Sequence, residues 1–275
     1  MKPAAFDYTR AETIDHAIAL LQEGQGAARL LAGGQSLGPM LNLRLARPSR
    51  LIDVKRVPAL CDLAADSRVL RIGAGWTHAE IEDGAVDDSS GLLRHVARGI
   101  AYRAVRNRGT IGGSLAHADP AADWVSAMAA IGAVLVARGP SGERRIAAEN
   151  FVQGAFATAL AEAEVLTAIE IPRLSEKTRW GFIKICRKTG EFAQAIGAAV
   201  WDPSHALARV VCGATGGAPV LLTETSTRLA DSGPEAAQAA AKQEFPARLA
   251  HIDAIARQLL GVAVQRALRK VQAAP

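Results

Sequence analysis

Arg106-Asn107-Arg108-Gly109-Thr110-Ile111-Gly112-Gly113-Ser114-Leu115-Ala116-His117-Ala118-Asp119-Pro120-Ala121-Ala122-Asp123 is the stretch from which the fold of this 275-residue chain can be read. Its centre, Thr110-Ile111-Gly112-Gly113-Ser114, follows a basic run and supplies consecutive small residues. Backbone N–H groups in such a turn can approach an anionic ligand closely, where a Cβ would collide with it. Downstream, Asp119-Pro120 predicts a helix with Asp as N-cap and Pro at the first helical position, continuing through Trp124, Met128 and Ile131. That cap would stand beside the turn. About 75 residues earlier the same chemistry recurs after an apolar run, in Leu30-Leu31-Ala32-Gly33-Gly34-Gln35-Ser36-Leu37. Either stretch alone reads as an ordinary tight turn, but two of them could hold one diphosphate.

Neither stretch has the spacing of the common nucleotide motifs. Gly33-Gly34-Gln35-Ser36-Leu37-Gly38-Pro39 has no lysine to reach a terminal phosphate, as a Walker loop requires. Gly73-Ala74-Gly75-Trp76-Thr77-His78 approaches the Rossmann fingerprint but lacks the third glycine that allows close helix–strand packing. An NTPase and a conventional NAD fold are both disfavoured.

With 49% apolar and 21% charged residues, the chain can build a real core in one large domain or two smaller ones. The net charge of +5 is mild. Only Arg94, Arg98, Arg103, Arg106 and Arg108 cluster, with Tyr102 as the lone aromatic among them, so a phosphate-facing, subunit-facing or solvated surface is favoured over a nucleic-acid stripe. Cys61, Cys186 and Cys212 are far apart, which points to a reducing compartment and excludes a self-contained four-cysteine cluster. His16, His78, His95, His117, His205 and His251 show no metal-binding spacing, and no metal is expected. The first residues lack the unbroken apolar region of a signal peptide and no run of about 18 apolar residues occurs, so a soluble, cytoplasmic protein is expected.

Thr13 is the expected N-cap of a helix carrying Ile14, Ala17, Ile18 and Leu21, which Gly24 and Gly26 stop. Arg29 to Leu31, Leu51 to Val54 and Val69 to Ile72 read as strands, and Thr77-x-x-Glu80 as a capping box. Gly91 to Ala101 reads as helix, and Ala133 to Ala137 and Val165 to Ile171 as strands, the last punctuated by Pro172. Beyond it, Phe182 to Ile185, Ala195 to Trp201 and Leu207 to Val211 suggest a strand meander, and Glu235 to Ala274 an Ala-rich helical region. The expected domains are 1–173 and 174–275. Strands and helices do not alternate regularly, which disfavours a doubly wound parallel sheet.

Taken together, Leu30 to Leu37, Arg44-Leu45-Ala46-Arg47-Pro48, Leu51-Ile52-Asp53 and Arg106 to Asp123 resemble the FAD-binding medium subunit of molybdenum hydroxylases. This is the xanthine dehydrogenase and carbon monoxide dehydrogenase flavoprotein family. Ile169-Glu170-Ile171-Pro172 and Lys184 to Ala199 extend the match over nearly the whole chain. The resemblance implies an α+β fold: a PCMH-type, vanillyl-alcohol-oxidase-like FAD domain of two lobes, followed by a small α+β domain with an antiparallel sheet.

It also implies roles. Leu30, Leu31, Ala32, Gly33, Gly34, Gln35, Ser36 and Leu37 would wrap the FAD diphosphate, chiefly through the amides of Gly33 to Ser36, with the Ser36 hydroxyl as a further donor. Thr110, Gly112, Gly113 and Ser114 would bind from the other side. Family members often carry Asn at the position of Ser114 and His at that of Gln35, so those two side chains depart from the usual pattern. Asp123 would accept hydrogen bonds from the ribityl chain or the adenosine ribose, since a carboxylate suits hydroxyl donors and is repelled by phosphates. Its alternative is a first-turn residue stabilised by the helix dipole. Leu166 matches a position whose backbone meets the isoalloxazine edge. Lys184 matches a lysine near the flavin ring, or else is a strand residue facing solvent; Tyr102 either approaches the flavin or packs.

The implied partners are a large molybdopterin subunit and a small subunit with two [2Fe–2S] clusters, in a dimer of heterotrimers. This chain would pass electrons from those clusters through FAD to an external acceptor. It names no catalytic residue, because the isoalloxazine carries the redox chemistry. A stand-alone flavin oxidase and a scaffold subunit without flavin remain alternatives, and intact glycines at both stretches argue against the latter.

Overall fold

The computed structural model describes residues 2–273. β1 (Asp7–Arg10), α1 (Ile14–Glu23), β2 (Ala28–Leu31), α2 (Leu37–Asn42) and β3 (Arg50–Asp53) form the first lobe, whose parallel strands run in the order β1-β3-β2. Parallel strands cannot be joined by a tight hairpin. Here α1 carries the chain from β1 to β2 and leaves between them the place that β3 fills. The Thr13 hydroxyl accepts the His16 N–H at 3.0 Å, and Ala17, Ile18, Leu20 and Leu21 are buried.

The second lobe contains β4 (Leu63–Ala65), β5 (Val69–Gly73), α3 (His78–Glu82), α4 (Leu92–Arg98), α5 (Arg103–Arg106), α6 (Ile111–His117), α7 (Asp123–Ile131), β6 (Val134–Gly139), β7 (Gly142–Ala147), α8 (Ala148–Phe151), β8 (Val152–Gly154), β9 (Ala157–Thr158) and β10 (Val165–Pro172). Its antiparallel sheet has the order β4-β5-β10-β6-β7. β10 lies at the centre and is buried from Val165 to Ile171, which accounts for its almost unbroken apolar sequence.

The C-terminal unit is an antiparallel meander of β11 (Arg179–Ile185), β12 (Ala195–Asp202), β13 (Leu207–Gly213) and β14 (Val220–Leu221), followed by α9 (Thr223–Arg248) and α10 (Ala254–Ala273). Both faces of β12 are covered, as its period-two side chains show. Ile196, Ala198 and Val200 join the core shared with the second lobe, whereas Ala195 and Ala199 pack with the α9–α10 layer. On the first of these faces sits α7, every residue of which is buried. Its sequence, Asp-Trp-Val-Ser-Ala-Met-Ala-Ala-Ile, has no broad polar face, as expected for a helix enclosed on all sides.

At the junction, the fully buried Asp202 side chain accepts the Ser175 amide at 2.7 Å and the Ser175 hydroxyl at 2.6 Å. Burial alone would raise its pKa, but hydrogen bonds from Ser175 and His205 outweigh that and hold it at about 2. Among the described residues, no helix is long and apolar enough to cross a membrane.

Three expected boundaries differ. The helix predicted from Asp119-Pro120 begins at Asp123, because the Asp119 carboxylate accepts the Ala121 amide at 2.9 Å in a local turn and Ala122 is extended. The helix expected to reach Ala101 ends at Arg98, with Ala101 left-handed at φ 40°. The C-terminal helical region starts at Thr223 rather than Glu235 and is broken at Gly233, where φ is 80°, and again between α9 and α10. Ala274 and Pro275 lie outside the described residues.

Candidate functional site

The first glycine stretch links β2 to α2. Leu30 and Leu31 pair in register with Ile52 and Asp53 of β3, and Leu37 opens α2. Between them, the amides of Ala32, Gly33, Gly34, Gln35 and Ser36 donate to no acceptor among the described residues. Gly34 adopts φ 72°, a left-handed conformation that reverses the chain. The Gln35 side-chain Nε2 donates to Gly33 O at 3.3 Å, and Gln35 and Ser36 are exposed. Five consecutive free amides at a surface strand end are costly unless water or an anionic group accepts from them.

The second stretch is not a turn. Gly112-Gly113 forms the first turn of α6, and its amides are already bound within the chain. Ile111 N–H donates to Trp76 O at 3.0 Å, Gly112 to Ala74 O at 2.9 Å, Gly113 to the Thr110 hydroxyl at 3.0 Å and Ser114 to Thr110 O at 3.0 Å. The expectation that these amides are available donors is therefore corrected: Thr110 caps the helix that was to supply them. The half-buried Ser114 side chain remains as a polar group at this end.

The two stretches nevertheless meet. A Cβ on Gly33 would collide with the Arg108 carbonyl and fall 2.7 Å from the Gly109 Cα, and one on Gly113 would stand 3.7 Å from the Ala32 Cβ. At Gly33 the contact is backbone against backbone, which glycine alone permits.

Asp123 and Lys184, 61 residues apart, form a second focus. Lys184 Nζ donates to Asp123 Oδ2 at 2.8 Å and to Gly99 O at 3.2 Å, and both side chains are largely buried. The other carboxylate oxygen, Asp123 Oδ1, is buried without a hydrogen-bond partner among the described residues. Burial pushes the Asp123 pKa up, and the Lys184 ammonium opposes that shift. Lys184 thus neither faces solvent nor stands alone. Leu166 is buried in the β10–β6 ladder at a bulge, where the neighbouring Thr167 O accepts the Ala74 amide at 2.9 Å. This connects it to the second stretch through Ala74. Tyr102 is exposed, and its ring lies against Gly190 of the β11–β12 loop.

Two members of the arginine cluster, Arg103 and Arg106, are paired with carboxylates. Arg106 donates to both carboxylate oxygens of Glu82 at 2.7 and 3.1 Å, Arg103 to Glu82 and Asp83, and Arg94 to Glu82 O. Sequence reasoning placed these cations but could not see the Glu82 and Asp83 carboxylates opposite Arg103 and Arg106. It also missed His78, whose buried ring packs beneath Gly109. Its position directly after the capping residue Thr77 was the available signal.

Residues 4–174 match the family described as the FAD-binding domain in molybdopterin dehydrogenase. The chain belongs to this FAD-binding family. The carbon monoxide dehydrogenase medium chain of Hydrogenophaga pseudoflava is 39% identical over 196 residues, covering 71% of this chain and 68% of that one. The 6-hydroxypseudooxynicotine dehydrogenase complex subunit alpha of Paenarthrobacter nicotinovorans is 37% identical over 194 residues, covering 70% and 66%. The solved carbon monoxide dehydrogenase from Hydrogenophaga pseudoflava that lacks the Mo-pyranopterin moiety of its molybdenum cofactor superposes with a TM-score of 0.92, at 34% identity and over 99% of both chains. Quinoline 2-oxidoreductase from Pseudomonas putida 86 gives 0.88 at 31%, again over 99% of both. The α+β architecture of the FAD-binding family thus extends over the C-terminal unit as well.

The residues fit that dinucleotide. The free amides of Ala32 to Ser36 suit anionic oxygens, and the orphaned Asp123 Oδ1 suits a hydroxyl donor from outside the chain.

Proposed function

We propose that this chain is the FAD-binding electron-transfer subunit of a molybdopterin-dependent hydroxylase or dehydrogenase. The observation that carries the reading is the run of five free amides from Ala32 to Ser36, packed against the start of the second stretch. These amides would hold the diphosphate, with the Ser36 and Ser114 hydroxyls as further donors at its two sides. Thr110, Gly112 and Gly113 shape the wall opposite them. Asp123 Oδ1 would accept from a ribityl or ribose hydroxyl, and Leu166 would border the isoalloxazine edge through its backbone. When bound, FAD supplies the hydride and single-electron chemistry.

Lys184 contributes a buried positive charge, held in place by Asp123 and Gly99 O, that favours negative charge developing close by. The chain's own task is to position, shield and tune. Relatives named as subunits and medium chains support the further proposal of a large molybdopterin subunit and a small subunit with two [2Fe–2S] clusters as partners, in a dimer of heterotrimers. Three free cysteines agree with work in a reducing, cytoplasmic setting. We keep a domain boundary near residue 173 as part of this reading. The acceptor would be NAD, a quinone, a cytochrome or oxygen.

The decisive measurement is titration of the purified chain with FAD, followed by flavin absorbance and fluorescence. Saturation at one FAD per chain is expected; a chain that takes up no flavin would overturn the reading. Asp123→Asn should weaken binding while the second stretch stays intact.

A further inference from the structure

Between the flavin end and the diphosphate end of this site runs a continuous line of contacts through a residue that neither end includes. Trp124 follows Asp123 on α7, and its Nε1 donates to His78 Nδ1 at 3.0 Å in a fully buried contact. The His78 amide donates to Gly109 O at 2.9 Å, and Thr77 pairs with Thr110 across an antiparallel bridge. The His78 ring lies directly under Gly109: a Cβ there would fall 2.9 Å from both Nε2 and Cδ2. Gly33 in turn packs against the Arg108–Gly109 peptide. Each step is backbone or a planar ring in contact with the next, leaving little room for one to move without its neighbour.

We propose that His78 is the positioning residue of the diphosphate site: its imidazole, wedged between Trp124 and Gly109, sets the separation of the two glycine stretches and so the fit of the diphosphate. The proposal rests on the FAD reading above. The residue type follows from the chemistry. The Trp124 N–H needs an acceptor in the plane of a flat side chain, and Gly109 needs a thin edge beneath it. A histidine accepting at Nδ1 carries its proton at Nε2 and is neutral. Burial, assisted by the charge of Arg106, lowers its pKa to about 4 and keeps it in that form.

The test is FAD titration of wild type, His78→Leu, His78→Ala, His78→Asn, Gly109→Ala and the double variant His78→Ala with Gly109→Ala, with far-UV circular dichroism on each. His78→Leu removes the acceptor and should weaken FAD binding about tenfold or more with the secondary structure retained. His78→Asn places an amide oxygen near the Nδ1 position and should recover most of the affinity. Gly109→Ala should also bind weakly, because its methyl meets the ring, and removing the ring in the double variant should restore part of the loss. This suppression decides the matter even if His78→Leu does not fold: additive losses in the pair overturn the proposal. So does wild-type affinity in a folded His78→Leu. Wild type that fails to bind FAD would instead overturn the FAD reading itself, so the two failures are distinguishable.

Discussion

At Ala32 to Ser36 five consecutive amides have no acceptor among the described residues, whereas at Ile111 to Ser114 each of four amides is bound to Trp76, Ala74 or Thr110. The same Gly-Gly pair therefore serves opposite needs. In the first stretch Gly34 turns the chain at φ 72° and leaves donors open. In the second, Gly112 makes room for Ala74, whose carbonyl oxygen would lie 2.6 Å from a Cβ, and Gly113 sits beside Ala32. One stretch leaves backbone donors open; the other, its own amides bound, packs as a wall against the first. Small residues alone do not say which, because close approach to a ligand and close approach to another strand select for the same absence of a Cβ.

This contrast can be broken most directly at Gly33, where the two stretches touch. Gly33→Ala should cost about 3 kcal/mol, the upper end of overpacking costs, because the obstacle is backbone rather than a movable side chain. Urea denaturation and FAD titration should fall together. An unchanged midpoint would show that the stretches are not in contact.

Acid should act mainly through the wall. The His78 pKa falls from an ordinary 6.5 to about 4 in the folded protein. Between those values the unfolded chain holds the proton and the folded chain does not, so the His78 contribution to stability declines as pH drops from 6.5 to 4 and changes no further below, with His95 acting in the same direction. The full effect is about 3 kcal/mol. His78→Asn should flatten the wild-type slope in that window. Asp202 acts lower: its pKa is depressed from 3.8 to about 2, so its contribution is present above 3.8 and lost as pH falls through 2. A slope confined to that lower window would mean His78 is protonated in the native state.

The smallest effect is expected at the cap. Thr110→Ala removes the acceptor of the Gly113 amide and should destabilise by about 1 kcal/mol. FAD affinity should change by less than in Gly33→Ala. A larger loss of FAD than of stability would mean that Thr110 itself contacts the dinucleotide and that the second stretch is more than a wall.

How far the sequence reaches is clear from particular residues. Thr13, Gly24 and the Thr77–Glu80 box act where local pattern places them, because capping is decided within one turn. β10 was legible from its apolar run and Pro172. Asp119-Pro120 misled because the Asp side chain satisfies a nearby amide equally well from a turn, and the helix start passed to Asp123. The site suffered more, since its decisive contacts are long-range. No local pattern reveals that Lys184 reaches Asp123, that Glu82 absorbs Arg106, or that Ala74 and Trp76 occupy the amides of α6. The resemblance put Asp123 and Lys184 near one ligand without indicating that they bind each other.

Enclosure of α7 has an architectural consequence. Its nine residues are covered on one side by the second lobe and on the other by β12 and β13, and Arg209 of β13 donates to Ala129 O at 2.8 Å. A chain cut after residue 174 would keep the whole matched family segment yet leave Ser126 and its neighbours facing water. The segment that the family model matches and the unit that can stand alone are then different objects. Shuffling the C-terminal module between relatives would transplant one wall of the α7 enclosure along with it.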